Sequence, residues 1–133
     1  MSKKEIKILV GESNPTHQRA IVNAFKQTGH TVDIVTNGVT LMKMLEREPY
    51  SHVFIDSKLP RFDCALMADQ VNEAEKNHNI SIEVVAMTVN VFPSHWDENL
   101  FDDSLAKPLQ VNELRNCLTP RKQTGRLSVL KEW

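Results

Sequence analysis

Glycine and cysteine are scarce in this chain, and neither falls in a pattern that holds a metal or a nucleotide. Four glycines are spread over 133 residues. Only Gly11 follows the first candidate strand, so no glycine-rich phosphate loop stands there, and Glu12 beside it would repel a phosphate. The two cysteines, Cys64 and Cys117, form no CxxC or zinc spacing. Free thiols in a reducing compartment are the simpler reading. His17, His30, His52, His78 and His95 make no HExxH or other ligand spacing, and are expected at the surface or in turns. No long apolar run exists: Ile6 to Val10 contains Lys7 and is too short for a signal-peptide core or a membrane span. The chain is therefore expected to be soluble and cytoplasmic, with no membrane partner. Its net charge of −1 gives none of the basic footprint of a nucleic-acid binder. There are no internal repeats and no low-complexity segment.

What is present fits one α/β domain. An apolar share of 41% supplies one core at this length and not two. Ile6 to Val10 reads as a strand, broken by Gly11-Glu12-Ser13-Asn14-Pro15. Asn14 as N-cap and Pro15 at the first helical position start a helix, with Ile21, Ala24, Phe25 and Thr28 on one face and Gly29 as its stop. Thr31 to Val35 is a second strand and Asn37-Gly38 a turn; Val39 to Glu48 is a helix with Leu41, Met42 and Leu45 inward. Val53-Phe54-Ile55 is a continuous apolar run that stops on Asp56, and Pro60 forbids its continuation. Asp63 to His78 is a helix with Leu66, Met67, Val71 and Ala74 as its buried stripe. Ile82 to Met87 is a strand ending at Thr88, Pro93 to Leu100 has room for two helical turns, Ser104 to Ala106 is a strand ending at Lys107-Pro108, and Val111 to Leu118 is a last helix. Met42, Met44, Met67 and Met87 read as core fillers, and the two cysteines as helix-packing residues. Strands alternating with helices over short connections mean a doubly wound five-stranded parallel sheet with helices on both faces. The domain is expected over residues 1–118. Residues 119–133, polar and basic before Leu127, Val129, Leu130 and Trp133, read as a linker or C-terminal tail.

The reactive side chains all follow strands. Glu12 and Ser13 follow the first, Asp56 ends the third, Thr88 the fourth, and Lys107 the fifth. In a doubly wound sheet these carboxyl ends converge on one crevice. A carboxylate, a hydroxyl and an ammonium together suit phosphoryl chemistry. Asp56 can attack a phosphoryl group to form an acyl phosphate, while Lys107 and Thr88 hold the phosphoryl oxygens. A divalent cation, Mg²⁺ by its preference for oxygen, would find Glu12, Asp56 and the backbone carbonyl of Lys58.

Taken together, Ile8-Leu9-Val10 with Glu12-Ser13-Asn14, Phe54-Ile55-Asp56 with Leu59-Pro60, Ala86-Met87-Thr88-Val89-Asn90, and Ala106-Lys107-Pro108 resemble the receiver domain of two-component response regulators. The resemblance covers about residues 5–118. It implies a flavodoxin-like sheet of order 2-1-3-4-5 with five helices and Asp56 as phosphoacceptor. It implies a histidine kinase or phosphotransfer protein as donor, with Thr88 and Lys107 on the phosphoryl group. Such a domain is not an enzyme in the turnover sense, although it assists its own phosphorylation. The sequence departs from the family at several points. Ser13 stands where a second acidic residue ligates Mg²⁺, which implies weak metal binding. Ser104 stands in place of the aromatic switch residue, Val89 in place of a small residue, and Cys64 in place of a common glycine. The spacing from Thr88 to Lys107 is also short, which clips the fourth helix.

Two functional classes stay open on these residues. One is a phosphoacceptor in two-component signalling. The other is a degenerate receiver, unphosphorylated or weakly so, acting as an interaction or dimerisation module. A homodimer or an output domain is a further expected partner, with Phe92, Trp96 and Phe101 expected to be exposed as its patch. A nucleotide or flavin binder is the weakest class, given the single glycine after the first strand.

Overall fold

The computed structural model describes residues 5–89 and 91–119. Five strands, β1 (Ile8–Gly11), β2 (Val32–Val35), β3 (His52–Asp56), β4 (Glu83–Thr88) and β5 (Asp103–Ala106), form one sheet in the order β2-β1-β3-β4-β5. Every pairing is parallel. Among the described residues four helices wrap it: α1 (Pro15–Lys26), α2 (Gly38–Arg47), α3 (Cys64–His78) and α4 (Val111–Leu118).

The period of two along the strands divides the interior into two cores. Leu9, Val53, Ile55, Val84 and Ala86 face α2 and α3, joined by Leu41, Leu45, Met67 and Val71. Ile8, Val10, Phe54, Val85 and Met87 face α1 and α4, joined by Phe25, Leu105, Leu114 and Cys117. Because both faces are covered, β3 and β4 read in sequence as unbroken apolar runs rather than alternating ones. Met67 and Met87 are fully buried, whereas Met42 and Met44 pack at the margin of the first core. Both cysteines are free thiols.

The helix starts follow local chemistry. Asn14 Oδ1 accepts from the backbone N–H groups of Thr16 (2.9 Å) and His17 (3.1 Å), so the cap and Pro15 fix the first turn of α1. Asn37-Gly38, expected as a turn, is instead the N-cap and first residue of α2, with Asn37 Oδ1 accepting from Thr40 N–H at 2.9 Å. Gly38 is required there. Its N–H donates to the Pro60 carbonyl at 2.9 Å. A Cβ on it would come within 2.1 Å of the Arg61 carbonyl oxygen. This close approach seats α2 against the loop that follows Asp56.

Four further expectations need correction. The fourth of the five implied helices is reduced to a single 3₁₀ turn, Glu98–Leu100, where two helical turns had room. Pro93 and the turn-forming Ser94, Asp97 and Asn99 do not sustain a helix. Phe92, Trp96 and Phe101 do not form an exposed patch: Trp96 and Phe101 are buried and Phe92 half-buried. Trp96 stacks on Phe101 at 5.1 Å and 8°, and meets Phe62 at 5.1 Å. The aromatics thus close the first core where a helix would otherwise lie. Leu66 is 59% exposed, and Ala68 takes its place in the buried stripe of α3. His52 is buried rather than at the surface, its Nδ1 2.7 Å from Ser51 Oγ and its Nε2 3.2 Å from the Cys117 carbonyl. Residues 120–133, most of the expected tail, and Asn90 lie outside the described residues.

Candidate functional site

Strand register builds the site. Gly11 of β1 pairs with Ile55 of β3, so Glu12 and Asp56 are the next positions on neighbouring strands. Both are buried, at 1% and 4% exposure. Two carboxylates this close to each other repel unless a cation intervenes. Lys107 supplies it. Its Nζ donates to Asp56 Oδ1 at 2.6 Å and to Glu12 Oε1 in a short ion pair. Lys107 is aimed there by the end of β5, where its backbone N–H donates to the Thr88 carbonyl at 2.7 Å. The peptide that follows, Lys107–Pro108, is cis.

Each carboxylate is also oriented by backbone. Lys58 N–H donates to Asp56 Oδ2 at 3.1 Å, and Asn14 N–H donates to Glu12 Oε2 at 3.1 Å. A carboxylate oxygen accepts more than one bond, so both groups keep lone pairs free. Thr88, at the end of β4, is 5% exposed, and its hydroxyl makes no hydrogen bond among the described residues. A buried hydroxyl left without a partner costs stability and calls for a reason. Ser13, next to Glu12, is exposed, as is Ser104 on β5.

Glu12, Asp56, Thr88 and Lys107 therefore meet at the carboxyl edge as the sequence implied. One residue of the site was missed. His17, in the first turn of α1, lies with Nδ1 3.1 Å from Lys107 Nζ. It belongs to no motif. The only signal was its position one turn into a helix that starts at the edge itself. His17, Ala20, Ile21, Val89, Lys107, Pro108 and Leu109 line an open cavity of about 240 Å³ beside the lysine.

The donor set suits a divalent ion of the magnesium kind. Such an ion takes one or two protein carboxylates and completes its shell with water and phosphate oxygens. Glu12 and Asp56 offer two, on adjacent strands. Among the described residues no cluster of three or more His, Cys, Asp or Glu forms an all-protein cage. Away from the site, burial pushes the Cys64 thiol up to about 11, with the Asp63 and Asp97 carboxylates adding to it. Burial and the bond to Asp33 likewise hold the Tyr50 hydroxyl protonated well beyond its ordinary range.

A parallel sheet of this order with an acid, a hydroxyl and a lysine on its carboxyl edge defines a receiver. The family model of the response regulator receiver domain matches residues 8–119, and the chain belongs to that family, the phosphoacceptor component of two-component signalling. Hybrid signal transduction histidine kinase K of Dictyostelium discoideum is 27% identical over 122 residues, 85% of this chain and 10% of the kinase. Sensor histidine kinase GacS of Pseudomonas protegens is 24% identical over 94% of this chain and 14% of its own length. The chain spans only 7 to 15% of the first curated relatives it matches. Among solved structures, the receiver domain of a sensor histidine kinase from Pseudomonas aeruginosa PAO1 superposes with a TM-score of 0.69 at 25% identity, covering 86% of this chain and 95% of that one. That domain was solved with a magnesium ion coordinated in its active-site cleft. The receiver domain of Ssk1 from Saccharomyces cerevisiae, solved with the histidine phosphotransfer protein Ypd1, shares the fold at a TM-score of 0.67 and 20% identity, covering 86% and 87% of the two chains. Among the described residues no helix is long and apolar enough to cross a membrane.

Proposed function

We propose that Asp56 is the residue that accepts the phosphoryl group, from a phosphohistidine on a histidine kinase or phosphotransfer protein. A carboxylate oxygen of Asp56 forms the new P–O bond. The P–N bond to the donor imidazole breaks, and its electron pair stays on the departing nitrogen. Lys107 donates to a phosphoryl oxygen as the transferred charge arrives, and the Thr88 hydroxyl donates to another. The observation that carries this reading is the pairing of Lys107 with Asp56, beside a buried Thr88 hydroxyl that has no partner among the described residues. The match to the receiver family over residues 8–119 weighs against a degenerate, unphosphorylated module.

Glu12, Asp56 and the Lys58 carbonyl would hold a Mg²⁺ ion. When bound, it supplies positive charge that offsets the crowded phosphoryl and carboxylate oxygens. With Ser13 neutral, that binding is weak. The reading places the domain in the cytoplasm, where ATP charges a phosphohistidine donor. Residues 119–133 then serve as a linker or tail toward an output domain or a second copy.

The test is site mapping. The chain is incubated with a small phosphodonor and Mg²⁺, then reduced with borohydride, which converts a phosphoaspartyl residue to homoserine. Homoserine at position 56 is expected. A stable adduct on a histidine, or homoserine elsewhere, contradicts the assignment.

A further inference from the structure

A lysine ammonium has three N–H donors and no acceptor. In this site all three find partners: Glu12 Oε1, Asp56 Oδ1 at 2.6 Å, and His17 Nδ1 at 3.1 Å. Because Lys107 can only donate, Nδ1 of His17 is the acceptor and its ring proton sits on Nε2. Glu12 Oε2 is 3.8 Å from the same nitrogen, too far for a competing hydrogen bond. The Asn14 cap accepts the His17 backbone N–H at 3.1 Å, which fixes the point on the first turn from which the ring departs.

The three bonds are not equivalent. The Glu12 and Asp56 side chains are 1% and 6% exposed, whereas the His17 ring is 43% exposed. Letting go of a carboxylate would leave a buried charge uncompensated. Letting go of the imidazole leaves a partly exposed group that water can satisfy. We propose that His17 is a positioning residue that occupies the third N–H of Lys107 in the resting site and yields it to a phosphoryl oxygen on phosphorylation. The inference rests on Asp56 being the acceptor. A bond present in one state and absent in the other biases the equilibrium toward the first. His17 therefore stabilises the unphosphorylated form, and its Nδ1 marks where a phosphoryl oxygen comes to lie against Lys107.

Removing the acceptor while keeping bulk, in His17→Leu, favours the phosphoryl-bound state by about three- to tenfold, the factor of one ordinary hydrogen bond exchanged with water. His17→Asn keeps an oxygen acceptor near the position of Nδ1 and behaves like the wild type. Two measurements on the full chain decide it. The first is affinity for beryllofluoride, a phosphoryl mimic, at saturating Mg²⁺ by ¹⁹F NMR. The expected order is His17→Leu tighter than His17→Asn, which equals wild type. Equal or weaker binding by His17→Leu overturns the proposal, as does His17→Asn following His17→Leu. The second is the ¹⁵Nζ shift of Lys107 without mimic or metal. It is expected to move in His17→Leu and return in His17→Asn, and an unmoved shift overturns the proposal while leaving the acceptor assignment standing. Wild type that binds no mimic removes the acceptor assignment and the competition together.

Discussion

Ser51 and His52 enter β3 at the amino end of the sheet, and Asp56 leaves it at the carboxyl end. Both ends bury polar side chains, but they treat them differently. Ser51 Oγ accepts from Lys7 N–H at 2.9 Å and lies 2.7 Å from His52 Nδ1. His52 Nε2 faces the Cys117 carbonyl at 3.2 Å, which only accepts, so Nε2 carries the proton; Ser51 Oγ also donates to the Lys7 carbonyl at 3.2 Å. These groups hold the start of β3 to the residue before β1 and to the end of α4. At the carboxyl end the buried groups are charged, two acids share one lysine, and Thr88 has a hydroxyl without a partner among the described residues. The contrast separates polar groups that hold the fold from polar groups kept available for chemistry.

The comparison breaks most visibly if the carboxyl end is not held by apolar packing. The segment that runs from the carboxyl end of β4 back to the start of β5 is anchored by Trp96 stacked on Phe101. Trp96→Ala is expected to cost roughly 3–5 kcal/mol in urea denaturation, with phosphorylation per folded molecule retained. A loss below about 1 kcal/mol would mean that the aromatic cluster does not replace the missing helix. Next in size is the amino end. Ser51→Ala removes partners of both Lys7 and His52 and is expected to cost about 1–3 kcal/mol, without changing the phosphorylation rate. A slowed rate would join the two ends, and the separation drawn here would fail.

The proposed metal ligands sharpen the comparison at the carboxyl end. Ser13→Asp adds a third acid beside Glu12 and Asp56. It is expected to tighten Mg²⁺ binding by about tenfold or more, or about 1.4 kcal/mol, to speed phosphorylation, and to lower thermal stability without metal through like-charge crowding. NMR titration of Mg²⁺ against both proteins measures it, and equal affinities would show that position 13 does not face the ion. The smallest effect on stability is at Thr88. Thr88→Val replaces a hydroxyl that has no partner among the described residues by a methyl group. It is expected to leave stability unchanged or raise it by up to about 1 kcal/mol, while phosphorylation slows. Destabilisation like that of Ser51→Ala would mean that Thr88 is a structural residue.

Much of this was legible in the chain itself. The unbroken runs of β3 and β4 announced a sheet covered on both faces, and Asn14-Pro15 and Asp63 marked helix starts that the caps bear out. Glu12, Asp56, Thr88 and Lys107 could be placed together because each follows a strand, and parallel strands bring their ends to one edge. His17 could not, because a helix's first turn approaches the edge at an angle that spacing does not encode. His52 was hidden by type: histidine is commonly exposed, and its burial depends on Ser51 and the distant Cys117 carbonyl. Phe92, Trp96 and Phe101 follow neither a period of two nor one of 3.6. Their burial came from tertiary packing against Phe62 rather than from any local pattern. Leu66 shows the converse, an apolar residue at helical spacing that the first turn of α3 leaves exposed.

The central claim is that the charged carboxyl end of the sheet is the phosphoryl site and the uncharged polar amino end is not. Intact mass spectrometry after incubation with a small phosphodonor and Mg²⁺ tests it most directly, on wild type, Ser51→Ala and Asp56→Asn side by side. One phosphoryl mass is expected on wild type and on Ser51→Ala, and none on Asp56→Asn. An adduct that survives in Asp56→Asn, or its absence from wild type at saturating metal, would contradict the account.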